Sequence, residues 1–197
     1  MTKKNKRHQV TSFEGMNIQN MFAVPIGWRH LYGIDNNSII KYCKTIQRPD
    51  GQSNKLDLNH PSVKPLIDRV NLESNKFHTS CGMKHSLVVT DAWHNDGNPE
   101  YICRPHLHPH AFSVATYYLN DSDVELYLLN PINSLENLII PELVDYYTEY
   151  NRVYMKIPPK EGLLLIFPSW IVHYVENIKD NRMSIAFNLS IKLPESM

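Results

Sequence analysis

The stretch "GLLLIFPSWIVHYVENIKDNRMSIAFNLSI", residues 162–191, carries the clearest secondary-structure pattern in the chain. Its last part alternates between two sets of side chains: Met183, Ile185, Phe187 and Leu189 against Ser184, Ala186, Asn188 and Ser190. Because successive side chains of a strand point to opposite faces, this part predicts a β-strand with one core face and one polar face. The apolar runs "GLLLIFP" and "IVHYV" before it predict two more strands.

Short β-rich runs of the same kind begin at about residue 86. The predicted strands cover residues 86–94, 111–120, 124–130, 152–157, 162–168, 171–175 and 183–191. Short strands with short connections are typical of a β-sandwich, a jelly roll or a barrel. Residues 131–150 fit neither the helical nor the strand period, so we expect a long excursion between two strands there.

Two helices are predicted before the strands. The first is "NNSIIKYCKTIQ", residues 36–47, where Asn and Ser are candidate N-caps and apolar residues recur at helical spacing. The second is "NHPSVKPLIDRVNLESNKF", residues 59–77, with Pro61 and Pro65 both expected in its first turn. Turn residues between the two helices, at 47–61, predict a loop.

Length and composition favour one mainly β domain over residues 1–197, in which helical and irregular chain at 1–80 supports a β core at 81–197. The 20 basic and 20 acidic residues cancel, which argues against a general affinity for nucleic acid or anionic membranes. No apolar run is long enough to span a membrane, and no secretion signal is expected. The three cysteines are widely spaced and predict neither a disulfide framework nor a cysteine-based zinc site.

The candidate metal ligands are histidines. His106, His108 and His110 occupy every second position of "RPHLHPHAFSVATYYLN", and side chains two apart in an extended chain share a face. Neutral imidazole binds iron, zinc, copper and nickel well. His173 lies in an apolar run, where its ring nitrogens need partners; a metal is one solution and an ordinary hydrogen bond is another.

Arg182 and Ser184 follow His173 along the chain and fall on the polar face of the last predicted strand. A guanidinium and a hydroxyl on one face can clamp a carboxylate, because together they offer a two-pronged cationic contact and an O–H donor. A surface salt bridge is the other interpretation of this pair.

The combination resembles the 2-oxoglutarate and Fe(II)-dependent dioxygenases, and within them a prolyl-hydroxylase-like group found in bacteria and phages. The similar segments span most of the chain and are "MFAVPIGW", "AWHN", "HLHPHAFSVATYYLN", "GLLLIFPSWIVHYV" and "RMSIAFN". The resemblance implies a double-stranded β-helix, or jelly roll, with Fe(II) as the metal and 2-oxoglutarate as the cosubstrate.

The resemblance also implies roles for single residues. His106, His108 and His173 would be the metal ligands, while Arg182, Ser184, Tyr118 and Asn95 would bind the cosubstrate, Asn95 alternatively the substrate. Two alternatives stay open: His110 could replace His106 in the pair with His108, or one histidine could lie behind the ligands with water completing the coordination. Most of the superfamily has Asp or Glu where this chain has His108, and a third imidazole leaves the charge of Fe(II) at +2.

The implied activity is O₂-dependent hydroxylation of a C–H bond in an amino-acid, peptide or other small substrate, with release of succinate and CO₂. The alternative is a cupin-like three-histidine metal enzyme, or a binding module, that does not use 2-oxoglutarate. We expect a cytoplasmic protein of a bacterial or phage-infected cell that binds neither membranes nor nucleic acid, and a homodimer is compatible with the sequence.

Overall fold

The computed structural model describes most of the chain: residues 10–13, 16–19, 23–47, 52–97, 103–132, 142, 144–176 and 182–192. The elements in these ranges are β1 Val10–Phe13, β2 Met16–Gln19, β3 Gly27–His30, α1 Asn36–Thr45, β4 Gln52–Lys55, α2 Lys64–Ser80, β5 Leu87–Asn95, β6 Cys103–His106, β7 Ser113–Tyr118, β8 Leu126–Leu129, β9 Tyr154–Ile157, β10 Leu163–Pro168, β11 His173–Val175 and β12 Ser184–Ile191. Every strand predicted after residue 86 is present.

The strands form two main antiparallel sheets. The large sheet has the order β3-β10-β7-β12-β5-β4, the small sheet has the order β6-β11-β8-β9, and β1 pairs with β2 separately. Together with the two N-terminal helices, these sheets confirm the mainly β architecture and the jelly-roll arrangement expected from the sequence. No helix in the described part of the chain is both long and apolar enough to cross a membrane.

The alternation of β12 divides the interior into two parts. Ile185, Phe187 and Leu189 are buried in an apolar cluster with the helices, as their spacing predicts. A second apolar cluster, which includes Phe167 and Leu128, packs the inner face of the large sheet against the small sheet. The polar face of β12 therefore looks into the space between the sheets rather than into solvent.

Both helices begin differently from the sequence prediction. Asp35, not an Asn or Ser of the quoted segment, caps α1, because its carboxylate accepts hydrogen bonds from the Ser38 backbone N–H and hydroxyl at 3.1 and 2.6 Å. Pro65 lies in the first turn of α2 as predicted. Pro61 does not: it belongs to the preceding turn, which the His60 carbonyl closes by accepting from the backbone N–H groups of Val63 and Lys64.

The strands before residue 80 and β6 were not predicted from the sequence. β4 lies inside the segment predicted as a loop and has the polar sequence QSNK, while β3 has the sequence GWRH. Both are edge strands of the large sheet, where backbone pairing with one neighbour is enough and no alternating apolar pattern is needed. Trp28 on β3 is 68% exposed, so its strand contributes little to the core.

Glu73 joins α2 to the large sheet. Its buried carboxylate accepts hydrogen bonds from Arg29 on β3 at 3.1 Å and from Lys76 at 3.0 Å, and it lies 3.3 Å from the Arg69 guanidinium. Burial alone would raise the pKa of this carboxyl group. The three basic neighbours outweigh that effect and hold the pKa of Glu73 below its ordinary value.

Candidate functional site

A cavity of about 550 Å³ opens between the two sheets. The large sheet contributes Trp93, Thr116 and Ser184 to its lining, and the small sheet contributes His106 and His173. The polar face of β12 and the histidine-rich segment after β6 therefore meet in one space, which is the juxtaposition that the sequence could only suggest.

Three histidines converge in this cavity. His106, His108 and His173 each offer one ring nitrogen, and these three atoms lie within 4.8 Å of one another. Their ring centroids are 4.4 to 5.2 Å apart. His110 lines the same cavity but is not part of this group. The geometry therefore favours His106, rather than His110, as the partner of His108.

The sheet pairing brings these histidines together. His106 ends β6 and His173 begins β11, and the two residues are opposite each other in the antiparallel pairing of these strands. His108 lies two residues beyond β6, where its backbone N–H donates to the Ser169 carbonyl at 3.0 Å. The chain after β6 is thereby held close to the turn between β10 and β11.

Hydrogen bonds set the same tautomer in all three rings. The Nδ1–H groups of His106 and His173 donate to the backbone carbonyls of Arg104 and Ile171, at 2.8 and 2.9 Å. The Nδ1–H of His108 donates to the Asn188 side-chain carbonyl at 2.7 Å. Because each partner is an acceptor, Nδ1 carries the proton and Nε2 keeps its lone pair in every ring.

Electrostatics also keep these rings in the form that binds metal. Burial, together with the neighbouring His106 and His108, lowers the pKa of His173 to about 3. Burial is also the main cause that lowers the pKa of His108. Both rings are therefore neutral at physiological pH, which is the protonation state of a histidine ligand.

The donor set fits a transition metal by a direct structural criterion. Nε2 of His108 is buried and has no hydrogen-bond partner among the described residues. A buried polar atom without a partner is costly, and a metal ion held by three neutral imidazoles would satisfy this one. Imidazole suits iron, zinc, copper or nickel, whereas calcium and magnesium prefer oxygen.

Arg182 lies in the same cavity and is only 5% exposed. Its Nη1 donates to the Ser184 hydroxyl at 3.1 Å, and its guanidinium carbon lies 5.2 Å from the centre of the Tyr118 ring. No carboxylate within the described residues pairs with it, and its Nε has no hydrogen-bond partner there. A buried cation without a counter-charge is a ready site for an anionic group.

Tyr118 completes this polar end of the cavity. It is fully buried, it lies opposite Ser184 in the pairing of β7 with β12, and its hydroxyl interacts with the Arg182 guanidinium. Burial raises the pKa of the phenol, so the hydroxyl keeps its proton and can donate to an anion.

Asn95, which the resemblance assigned to cosubstrate or substrate binding, lines the cavity at the end of β5, and so does Trp93. Asn95 lies opposite Ser184 in the pairing of β5 with β12. The Trp93 ring stacks on His108 with centroids 5.6 Å apart and planes 17° from parallel. Trp93 therefore packs against a member of the histidine group instead of serving only as core.

The residue that the sequence reasoning missed is Asn188. It lines the cavity and accepts the hydrogen bond from His108. The signal was available, because Asn188 shares the polar face of β12 with Ser184. Amide side chains on strands are common, however, and only the contact reveals what this one does.

Comparison with known families agrees with this geometry. A family model described as "Putative 2OG-Fe(II) oxygenase" matches residues 91–188, a range that includes the three histidines and Arg182. The chain belongs to the 2OG-Fe(II) oxygenase family. As a member of this family, the protein is an oxygenase. Its predicted metal, Fe(II), and its predicted cosubstrate, 2-oxoglutarate (2OG), are the two that the family's description names.

Solved structures show the same fold for this oxygenase at low sequence identity. A Pseudomonas putida prolyl-4-hydroxylase has a TM-score of 0.62 and 13% identity, with 86% of this chain and 94% of that chain covered. A Burkholderia pseudomallei 2OG-Fe(II) oxygenase has a TM-score of 0.59 and 13% identity, with 84% of each chain covered.

A third solved structure is a viral collagen prolyl hydroxylase from Paramecium bursaria Chlorella virus-1 in complex with 2OG. It has a TM-score of 0.56 and 11% identity, with 86% of this chain and 96% of that chain covered. These likenesses confirm the double-stranded β-helix fold predicted for the oxygenase. No curated protein matches the sequence significantly.

Proposed function

We propose that this oxygenase is an Fe(II)- and 2-oxoglutarate-dependent hydroxylase whose metal ligands are His106, His108 and His173. Arg182, with Ser184 and Tyr118, binds the distal carboxylate of 2-oxoglutarate. The enzyme hydroxylates a C–H bond of an amino-acid, peptide or other small substrate and releases succinate and CO₂.

The observation that carries the proposal is the buried Arg182, which shares one cavity with the histidine group and lacks a carboxylate partner among the described residues. A cupin-like three-histidine enzyme that needs no 2-oxoglutarate has no cosubstrate carboxylate to pair with a buried guanidinium. A dicarboxylate cosubstrate uses both features, because one end meets the metal and the other meets the cation.

The residues divide the work of binding and orientation. When bound, Fe(II) and 2-oxoglutarate supply the O₂ activation that hydroxylates the substrate. The three imidazoles would hold the metal at the wall of the cavity. Arg182 attracts the distal carboxylate, and the hydroxyls of Ser184 and Tyr118 fix its orientation.

The substrate is proposed to approach from the rim of the cavity. Asn95 lies where it can donate to or accept from the cosubstrate or the substrate. The described end of the excursion between β8 and β9 presents the exposed rings of Tyr146, Tyr147 and Tyr150. An aromatic loop of this kind suits an amino-acid or peptide side chain, and we propose that it forms part of the substrate groove.

The direct test measures succinate formed from 2-oxoglutarate by the purified protein without added substrate. A small amount of succinate is sufficient, provided that it exceeds the amount formed by the metal-free protein. The proposal expects succinate that requires both Fe(II) and O₂ and that disappears in His173→Ala. Tight metal binding with no 2-oxoglutarate binding would overturn it in favour of the cupin-like alternative.

A further inference from the structure

Asn188 holds the histidine that replaces the usual carboxylate. Its Oδ1 accepts the Nδ1–H of His108 at 2.7 Å, and its side chain lines the cavity on the same face of β12 as Ser184. The partners of the two other imidazoles are backbone carbonyls, so His108 is the member of the group whose orientation depends on a side chain.

The backbone of Asn188 is itself fixed on both sides. It pairs with Val114 of β7 and with Asp91 of β5. The register of the β5 pairing shifts immediately after Asn188, and the hydroxyl of Thr90, the residue skipped by the shift, donates to the Asn188 carbonyl at 3.3 Å. The extra residue of this β-bulge belongs to β5, so Asn188 keeps the regular alternation of β12 and faces the cavity on the same side as Ser184.

Stacking alone cannot orient the His108 ring. The ring stacks on Trp93, with planes 17° from parallel, and on His173, with planes 13° from parallel. A half-turn of the imidazole about its Cβ–Cγ bond preserves this plane and both stacking contacts, but it displaces Nε2 from its position. Only a hydrogen bond at one edge of the ring distinguishes the two orientations.

We infer that Asn188 is a positioning residue for metal binding: its side-chain carbonyl selects the Nδ1–H tautomer and the orientation of His108 that direct Nε2 towards His106 and His173. The amide is neutral, so it does this without adding negative charge to the site. The inference rests on the proposed function, because it assumes that His108 is a ligand.

The test compares Co(II) binding by the full-length protein and its variants, followed by the visible absorption of Co(II) and by quenching of tryptophan emission. Asn188→Leu removes the acceptor, and we expect a loss of about 10- to 100-fold in Co(II) affinity with an altered Co(II) spectrum. Asn188→Asp keeps an acceptor, so its affinity is expected to stay within about threefold of the wild type or to increase.

Two controls make the result specific. Ser190→Ala changes the next residue on the same strand face, outside the described lining of the cavity, and is expected to bind Co(II) as the wild type does. His108→Ala measures the full contribution of the ligand. If Asn188→Leu does not fold, as judged by thermal unfolding without metal, Asn188→Asp decides alone: a loss of more than about tenfold overturns the inference.

The outcomes separate this inference from the proposed function. Wild-type affinity in Asn188→Leu combined with a loss in His108→Ala would overturn the role of Asn188 and leave the histidine site intact. Unchanged affinity in both His108→Ala and His173→Ala would overturn the site itself. Loss in Asn188→Leu with retention in Asn188→Asp supports the inference, because a purely structural role would not depend on the acceptor.

Discussion

Replacing Arg182 by methionine should separate cosubstrate binding from both metal binding and folding. Arg182 is 5% exposed, donates to Ser184 at 3.1 Å and has no carboxylate partner among the described residues. Methionine keeps most of the apolar length of the side chain and removes its charge. The distal carboxylate of 2-oxoglutarate would then lose its cationic partner while the histidine group stays unchanged.

The magnitude follows from the burial. Removing one member of a buried, hydrogen-bonded charge pair costs about 2–4 kcal/mol, and each 1.4 kcal/mol is a factor of ten. We therefore expect 2-oxoglutarate to bind about 30- to 700-fold more weakly to Arg182→Met. In the absence of 2-oxoglutarate, the substitution should not destabilise the protein. The variant no longer buries an unpaired charge, so its free energy of unfolding should be unchanged or higher by up to about 2 kcal/mol.

Calorimetric titration of 2-oxoglutarate into Zn(II)-loaded protein measures the first effect, because zinc occupies a histidine site without redox chemistry. Chemical unfolding of the metal-free protein measures the second. Arg152→Met is the matched control, since Arg152 is exposed. Wild-type affinity for 2-oxoglutarate in Arg182→Met, together with a stability loss above about 2 kcal/mol, would refute the clamp and make Arg182 a structural residue.

Three further predictions concern the ligand set and the scaffold. His106→Ala should lose metal affinity by more than about 100-fold whereas His110→Ala should keep it, as measured by Co(II) titration; the reverse result would select the other clamp. His108→Asp should keep metal binding within about tenfold, because a carboxylate is the more usual ligand and lowers the site charge to +1; complete loss by the same titration would show that the site requires imidazole. Glu73→Gln should lower stability by about 1–2 kcal/mol at pH 7. Because the pKa of Glu73 is lowered by folding, its contribution is present above the ordinary value of 4.5 and is lost as the pH falls through the folded value. Urea unfolding at several pH values should therefore show that the variant loses less stability than the wild type below about pH 4.5. If the free energies of unfolding of the two proteins fall in parallel with pH, the assignment is contradicted.

The sequence predicted those parts of the fold that bury a repeating pattern. The alternation along β12 identified both its core face and its polar face, since a slip of one residue would move Phe187 out of the apolar cluster and onto the polar face. β3 and β4 escaped prediction because both are edge strands with mostly polar sequences, and backbone pairing at a sheet edge requires no alternating apolar pattern. The N-cap of α1 was expected at an Asn or Ser of residues 36–38, but Asp35 is the cap; Asp, Asn and Ser are all good caps, and only the hydrogen bond distinguishes them.

The candidate site, like the fold, was only partly predictable from the sequence. Residue types at characteristic spacings suggested His106, His173 and Arg182, because ligand and clamp chemistry requires those side chains. The contact between Asn188 and His108 spans 80 positions of the chain, and no local pattern records it. Choosing between His106 and His110 likewise required the pairing of β6 with β11, which places His106 opposite His173.

The charges in the cavity connect the unusual third histidine with the buried arginine. Three neutral imidazoles leave a divalent metal at +2, where a carboxylate would leave it at +1. Arg182 adds a further positive charge that no described carboxylate offsets. A dianion such as 2-oxoglutarate then relieves more unbalanced charge here than in a site with a carboxylate ligand. Metal and cosubstrate should therefore strengthen each other's binding by the same factor, because the coupling between two ligands is reciprocal.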